Sequence, residues 1–354
     1  MRFASGGARC HSDSAMNIQT MPPPPRTTAN PAPARPVKSL RRTTSIDVSW
    51  PEGTDQPRLF VGRVRDYRTG SPDQPGTELG CAELRAVLED DKTIRSISAT
   101  PEPSRLQEIV GHRAGGHLRM FIREIMPELV EQAVPIYLVL DDLSGSALVS
   151  NISWSMWDPT LMLDRRANMS DHEFEEMMSG RANVCWGLAE GNSGLTFRRD
   201  VSEVAAADAG ELRNPADPLG WHEFAENDGP GFRRARRIDV WRDPSSGLLT
   251  IDSAFQDSAK KRDGGRTAIH EYLLRVTADP VTLEVLSLEP DARILPFPEC
   301  PGAIHNTQRL VGSSLGDIRD EVLRQLRGPE GCTHLNDAMR ALADVPVLAA
   351  SLPR

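Results

Sequence analysis

The stretch Gly331-Cys332-Thr333-His334-Leu335-Asn336-Asp337 brings a thiol, an imidazole and a carboxylate into one short segment. That set suits nucleophilic or acid–base chemistry, because an imidazole titrates near neutrality and a carboxylate can fix its tautomer and share its proton. Leu335, Ala338, Met339 and Leu342 recur at helical spacing, so residues 333–344 are expected as a helix entered through Gly331 and Thr333. Cys332 and His334 would then stand at its N-terminus, where free N–H groups and the helix dipole favour a thiolate or a bound carboxylate. Asp337 falls on the same side of that helix as His334 and is expected to steer the imidazole. His334 is thus read as general acid or base and Asp337 as its partner. Cys332 would help the helix amides hold developing negative charge, and Thr333 would contact the substrate.

A second group lies in Asp291–Thr307, where Pro296, Pro298 and Pro301 predict a stiffened loop carrying Glu299, Cys300 and His305. Glu299 and His305 are expected to close the site from that loop, with Cys300 against the substrate. The pairs Cys300-x4-His305 and Cys332-x-His334 also supply four zinc-type ligands, although Cys-x-His is not a usual zinc knuckle. The plainer reading of the same residues is buried thiols behaving as small hydrophobes and a histidine capping its neighbours. Between residues 151 and 199 stand Trp154, Trp157, Phe174, Trp186 and Phe197, in a chain with only 5% aromatic residues. Together with Met177 and Met178 they could wall an apolar pocket for an aromatic ring, with Trp154, Trp157 and Trp186 as contacts, or form ordinary core. Ile152–Trp157 alternates like a strand, Asn183–Gly191 reads as a strand and turn, and Ser170-Asp171-His172-Glu173 carries capping chemistry for a helix.

The elements that position these groups emerge from comparing the chain with itself. Val87–Pro101 aligns without gaps on Val276–Pro290, sharing Val87/Val276, Asp90/Asp279, Thr93/Thr282, Ser98/Ser287 and Pro101/Pro290. Arg41-Arg42…Ile46-Asp47-Val48 recurs as Arg233-Arg234…Ile238-Asp239-Val240, and Gln107…Val110-Gly111 as Gln308…Val311-Gly312. A tandem duplication over roughly 41–150 and 233–350 is expected, its first copy degenerate. Each copy reads as a strand, a tight reversal and a second strand, followed by an amphipathic helix. Leu315, Ile318, Val322, Leu323 and Leu326 form one such helix, stopped by Gly328. Leu118, Phe121, Ile122 and Ile125 form the other, ended by Pro127. The expected fold is α+β: two related units of mainly antiparallel strands, each followed by amphipathic helices, in a pseudo-twofold arrangement with a cleft between them. The region of the first copy that answers Gly331–Asp337, Ala133–Leu148, has neither Cys nor His.

Domain boundaries follow from composition. Residues 1–40, rich in Pro, Ala, Ser, Thr and Arg, are expected as a disordered tail, with Met16 and Met21 as alternative starts to Met1. The first repeat spans 41–150, a Trp-rich insertion and linker 151–232, and the second repeat with the candidate site 233–354. A net charge of −9, made of +6 over residues 1–42 and −15 over the rest, makes a phosphate backbone an unfavourable partner. No stretch has the roughly 20 consecutive apolar residues of a membrane helix. Five cysteines without a regular framework suit free thiols in the cytoplasm. Dinucleotide, phosphate-loop, nucleophile-elbow, H-E-x-x-H and EF-hand signatures are absent.

Pro296-Phe297-Pro298-Glu299-Cys300-Pro301, Leu310-Val311-Gly312 and Gly331–Leu335, behind the strand pattern ending at Pro290, resemble the bacterial domain-of-unknown-function family 2889. The resemblance is closest over 270–348 and weaker in the first copy and Val184-Cys185-Trp186-Gly187. It implies a role in the catabolism of aromatic compounds. Combined with the acid–base residues, it points to a cytoplasmic, cofactor-independent carbon–carbon lyase or isomerase. Such an enzyme would act on an aromatic, lignin- or phenylpropanoid-derived molecule, for example by retro-aldol release of an aldehyde. A non-catalytic small-molecule-binding or scaffold protein, and a zinc-dependent hydrolase, are the alternatives. An aromatic small molecule is the expected partner, with neither nucleic acid nor membrane, and a homodimer is compatible with the sequence.

Overall fold

A computed structural model describes residues 27–53, 56–71, 76–158, 160, 169–196 and 206–353. Among these residues nine strands form one antiparallel sheet: β1 Ser39–Ser49, β2 Arg58–Thr69, β3 Thr77–Leu88, β4 Ile94–Thr100, β5 Ala207–Asp208, β6 Gly231–Arg242, β7 Leu249–Lys260, β8 Arg266–Ala278 and β9 Val285–Ile294. Their order is β4-β3-β2-β1-β6-β7-β8, with β5 and β9 sharing the outer edge of β8. The two runs of strands meet where β1 pairs antiparallel with β6, Ser45 opposite Ala235. Both strands at this seam are buried along almost their whole length, because layers cover both sides of the sheet.

Helices cover one face. In the first half these are α1 Gly116–Ile125, α2 Pro127–Glu131, α3 Pro135–Val149 and α4 Ile152–Trp157; α5 Asp171–Ser179 and α6 Ser193–Thr196 lie in the central segment. The second half contributes α7 Ile318–Gln325, α8 Thr333–Arg340 and α9 Val345–Ala350. The architecture is therefore α+β, as expected. The strand pairs β3–β4 and β8–β9, helices α1 and α7, and α8 with its continuation Ala341–Asp344 stand where sequence spacing put them. Ser170 and Glu173 form the expected reciprocal cap of α5.

Three local expectations fail. Ile152–Trp157 is helical: Ser153 and Ser155 are both buried, and six alternating residues directly behind α3 are too few to fix a strand against that packing. Asn183–Gly191 is a turn around the short 3-10 segment Trp186–Leu188. The expected loop at 291–307 splits between the end of β9 and an 11-residue 3-10 helix, Cys300–Leu310. The tail also ends earlier than composition suggests. Residues 1–26 lie outside the described set, but 27–38 pack on the sheet face opposite the helices. There Thr28 Oγ1 donates to the Ala209 carbonyl, and the Arg35 guanidinium pairs with Asp217 at 2.8 Å.

Two apolar cores lie on the helical face. One joins Phe60, Leu84, Ile94, Leu118 and Leu140; the other joins Phe255, Tyr272, Leu274, Ile318 and Leu342. Between them, over the β1–β6 seam, runs a buried layer of paired charges. Arg42 forks onto Asp66 (2.7 and 2.6 Å) and reaches Asp344; Arg234 forks onto Asp257 (2.8 and 2.9 Å) and reaches Asp337; Arg236 takes Asp142; Arg340 takes Asp141. Arg42 and Arg234 are fixed by two-pronged geometry, while Arg236 and Arg340 each set one terminal nitrogen against both carboxylate oxygens; this pairing is what keeps so many desolvated charges tolerable.

Candidate functional site

Asp257 lies near the end of β7 and faces the helices. Its carboxylate, completely buried, accepts Nε and a terminal nitrogen of Arg234. Across the ladder stands His270 on β8, directly beside a β-bulge that breaks the register between Asp257 and Ser258. Bulges re-aim side chains and recur beside active sites. Here Nδ1 of His270 comes within 3.2 Å of Asp257 Oδ2. The first turn of α8 brings the third member: the His334 ring stacks on that of His270, centroids 3.6 Å apart and planes 17° apart, with Nε2 at 3.7 Å from the same Oδ2. The Phe255 ring lies 6.1 Å from His334 and walls one side.

The electrostatics of the three are unequal. Burial alone would raise the Asp257 pKa, but the Arg234 guanidinium and His270 overcome it and hold the carboxyl well below the usual carboxylate range. Burial, with His270 adjacent, pushes His334 well below the ordinary histidine range, against the pull of Asp257. A permanent carboxylate thus faces an imidazole that is neutral at pH 7. Neutral imidazole can accept a proton or bind a metal. His334 is the most accessible of the three, its side chain 15% exposed against 7% for His270.

The residues chosen from sequence are distributed differently. His334 does sit at the start of α8, but its carboxylate partner is Asp257 rather than Asp337. Asp337 is turned into the charge layer, where Arg119, Arg234 and Arg340 surround it at 2.9–3.2 Å. Cys332 points into the apolar core, where Tyr272 donates its hydroxyl hydrogen to Sγ across 3.4 Å, and burial pushes the thiol up to about 11. It is a thiol at neutral pH, not a thiolate. Thr333 Oγ1 lies 3.4 Å from Nδ1 of the neighbouring His334 ring.

Cys300 is buried in the same core, its thiol likewise pushed well up by desolvation. Glu299 accepts hydrogen bonds from the Ser193 backbone and hydroxyl, tying the central segment to the 3-10 helix. His305 is exposed on that helix. Cys300, His305, Cys332 and His334 therefore form no common metal set: among the described residues the one group of three converging metal-type ligands is Asp257, His270 and His334. The tryptophans do not share a pocket either. Trp154 meets Trp50 edge-on against the first core, Trp157 lies under Arg262, and Trp186 packs on the second core over Gly302. Phe197 lies outside the described residues.

His270 and Asp257 were missed because neither stands in a motif. The available signal was the recurrence of the Arg-Arg step in the sequence: Arg42 and Arg234 answer each other there, and each forks onto an aspartate one strand away, Asp66 and Asp257. Opposite Asp66 stands Gly80, beside a bulge at the same step; opposite Asp257 stands His270.

An antiparallel sheet helix-covered on one face, with a buried Asp–His–His centre beside a bulge, defines an α+β protein equipped for proton transfer or metal binding. Within it, residues 232–348, from the first residues of β6 into α9, match the family described as protein of unknown function, DUF2889. No curated protein and no solved structure matches the chain.

Proposed function

We propose that the protein is an acid–base enzyme whose proton-handling centre is Asp257, His270 and His334, and that it is a carbon–carbon lyase or isomerase acting on aromatic, lignin- or phenylpropanoid-derived small molecules. The observation that carries the acid–base reading is the meeting of two imidazoles on one arginine-anchored carboxylate, in a chain whose other histidine–carboxylate pairing expected from spacing is not made. The substrate class follows from the family resemblance. In a retro-aldol cleavage, a base removes the proton of a hydroxymethyl group, the electrons form the aldehyde C=O as the carbon–carbon bond breaks, and the carbon left behind takes a proton. His334, neutral and nearest to solvent, suits the base; His270, fixed by Asp257, suits a relay. The test is to incubate the purified chain with lignin-type dimers bearing a hydroxymethyl group and titrate the aldehyde released. Turnover is expected, falling by roughly 100-fold or more in His334→Ala; wild-type rates in both His334→Ala and His270→Ala would sink the mechanism.

The same reading includes a cytoplasmic location and a duplicated, pseudo-twofold chain. Matched local geometry supports the duplication, in a register two residues later than the gapless alignment across the β8–β9 turn: Gln107 donates to the Ile97 carbonyl as Gln308 does to that of Leu288, and Gly111 donates to Ile94 as Gly312 does to Val285, each at 2.8–3.0 Å. Across the seam Arg41 pairs with Asp239 and Arg233 with Asp47, an exchange that a twofold axis between β1 and β6 would produce. On this view the first copy keeps the Arg–Asp scaffold and the second adds the imidazoles.

A second reading, a non-catalytic small-molecule carrier, is favoured by one observation. A cavity of about 290 Å³ lies under residues 29–33 on the face away from the histidines, lined by Trp221, Leu273 and Gln256. Tight binding of an aromatic ligand without conversion, unaffected by His334→Ala, would support it.

A further inference from the structure

We propose that Asp257, His270 and His334 bind a divalent cation of the zinc type, a site formed by none of the cysteines that sequence spacing offered. Three observations carry this. The ligand atoms of all three side chains lie within 4.8 Å of one another. Two of the separations, 3.2 Å from Asp257 Oδ2 to His270 Nδ1 and 3.7 Å to His334 Nε2, bracket the distance of about 3.3 Å between neighbouring donors around a tetrahedral ion with bonds of 2.0–2.1 Å. Finally, His270 is 5% exposed, yet its Nδ1 makes no well-formed hydrogen bond despite its closeness to Asp257. A buried imidazole nitrogen 3.2 Å from a carboxylate yet short of a well-formed hydrogen bond leaves a place that a bridging ion would fill.

The surroundings fit a metal ligand set. Metal-bound carboxylates are commonly oriented by a further hydrogen bond, and Arg234 supplies that to Asp257 through both oxygens. Asp337, 3.2 Å from Arg234 on its far side, offsets the guanidinium charge that would otherwise oppose a cation. Three protein ligands leave a fourth position free, the arrangement of catalytic rather than structural zinc, and the partial exposure of His334 gives that position a route to solvent. Near-parallel stacking of the two rings requires His334 to swing slightly before both nitrogens point at one ion. The inference departs from the expectation of a cofactor-independent enzyme.

It rests on the acid–base reading only for the choice of centre, and the test keeps the two apart. Tag-free full-length protein, stripped with chelator, is titrated with cobalt(II), and the ligand-field absorption and thermal midpoint are followed. One cobalt per chain is expected, with bands of a four- or five-coordinate N/O site and a raised midpoint. Affinity should drop by about 100-fold or more in His334→Ala and in His270→Ala, and stay unchanged in His305→Ala. Because His270 is buried, circular dichroism of its variant is recorded without metal; should that variant be unfolded, the more accessible His334→Ala decides alone. Absence of stoichiometric binding, or binding that survives His334→Ala, overturns the site. Cobalt binding without turnover of any lignin-type dimer leaves the site standing and removes the lyase reading; turnover by the stripped protein with no binding does the reverse.

Discussion

Histidines that fold neutral make this protein sensitive to mild acid. His222 shows this most clearly: buried against the face of the sheet opposite the helices, it bridges the Thr43 and Ser45 hydroxyls at 2.8 and 2.9 Å, and burial followed by nearby arginines depresses it to about 3. Below the ordinary pKa near 6.5 the unfolded chain takes a proton that the folded chain refuses. His222 therefore contributes full stability above pH 6.5 and loses it progressively toward pH 3. Between pH 6.5 and pH 5 the expected loss from His222 is about 2 kcal/mol, to which His334 adds in the same direction. Urea titrations at the two pH values measure it, and His222→Asn should flatten the difference. The thiols give an independent check. With Cys300 and Cys332 held as buried thiols, iodoacetamide at pH 7.5 should leave both unmodified in the native protein and label them after denaturation; native labelling of Cys332 would revive the thiolate role expected from its place at a helix start. His334 was legible in the sequence as the imidazole to watch. Its partners were not, because only strand register and the packing of α8 bring Asp257 and His270 to it.

Elements with a strong local period were readable, and those shaped by their neighbours were not. β3–β4, β8–β9, α1 and α7 follow from apolar spacing and their turn residues. α4 does not, since Ile152–Trp157 alternates like a strand yet continues the helical layer with two buried serines. The charge layer also escaped the sequence reading. Paired Arg-Arg steps on β1 and β6 look like solvated strand ends, but alternation sends Arg41 and Arg233 to one face and Arg42 and Arg234 to the other. α3 crosses directly over this layer at Gly145, where an added Cβ would overlap the Arg234 guanidinium. Gly145→Ala is expected to cost about 1–3 kcal/mol by chemical denaturation, more than the slight gain that helix propensity alone would bring. A neutral or stabilised variant would mean that Arg234 is not held where Asp257 and Asp337 meet it.

At the scale of the molecule, the family-matched segment is only part of a continuous sheet. β6 pairs with β1 from Gly231 to Trp241, and both oxygens of Asp141 on α3 accept from one terminal nitrogen of Arg340 on α8 at 2.6 Å. A fragment beginning at residue 228 would expose that strand edge and strand the buried arginines, so it is expected to aggregate or remain unfolded by circular dichroism while the full chain folds. In the full chain, Asp141→Ala should cost about 3–5 kcal/mol, as for other buried pairs that lose one member. The same continuity explains why function cannot be read from the second half alone: its Arg234 is flanked by Asp142 and Gly145 of the first. The centre depends on the half-buried His334 lying against His270 and Asp257. Proton-detected NMR of its imidazole nitrogens across a pH titration tests that most directly. The ring should stay neutral well below pH 6.5 in the wild type and lose its coupling to a second histidine in His270→Ala. An ordinary titration near 6.5, unchanged by His270→Ala, would contradict the site.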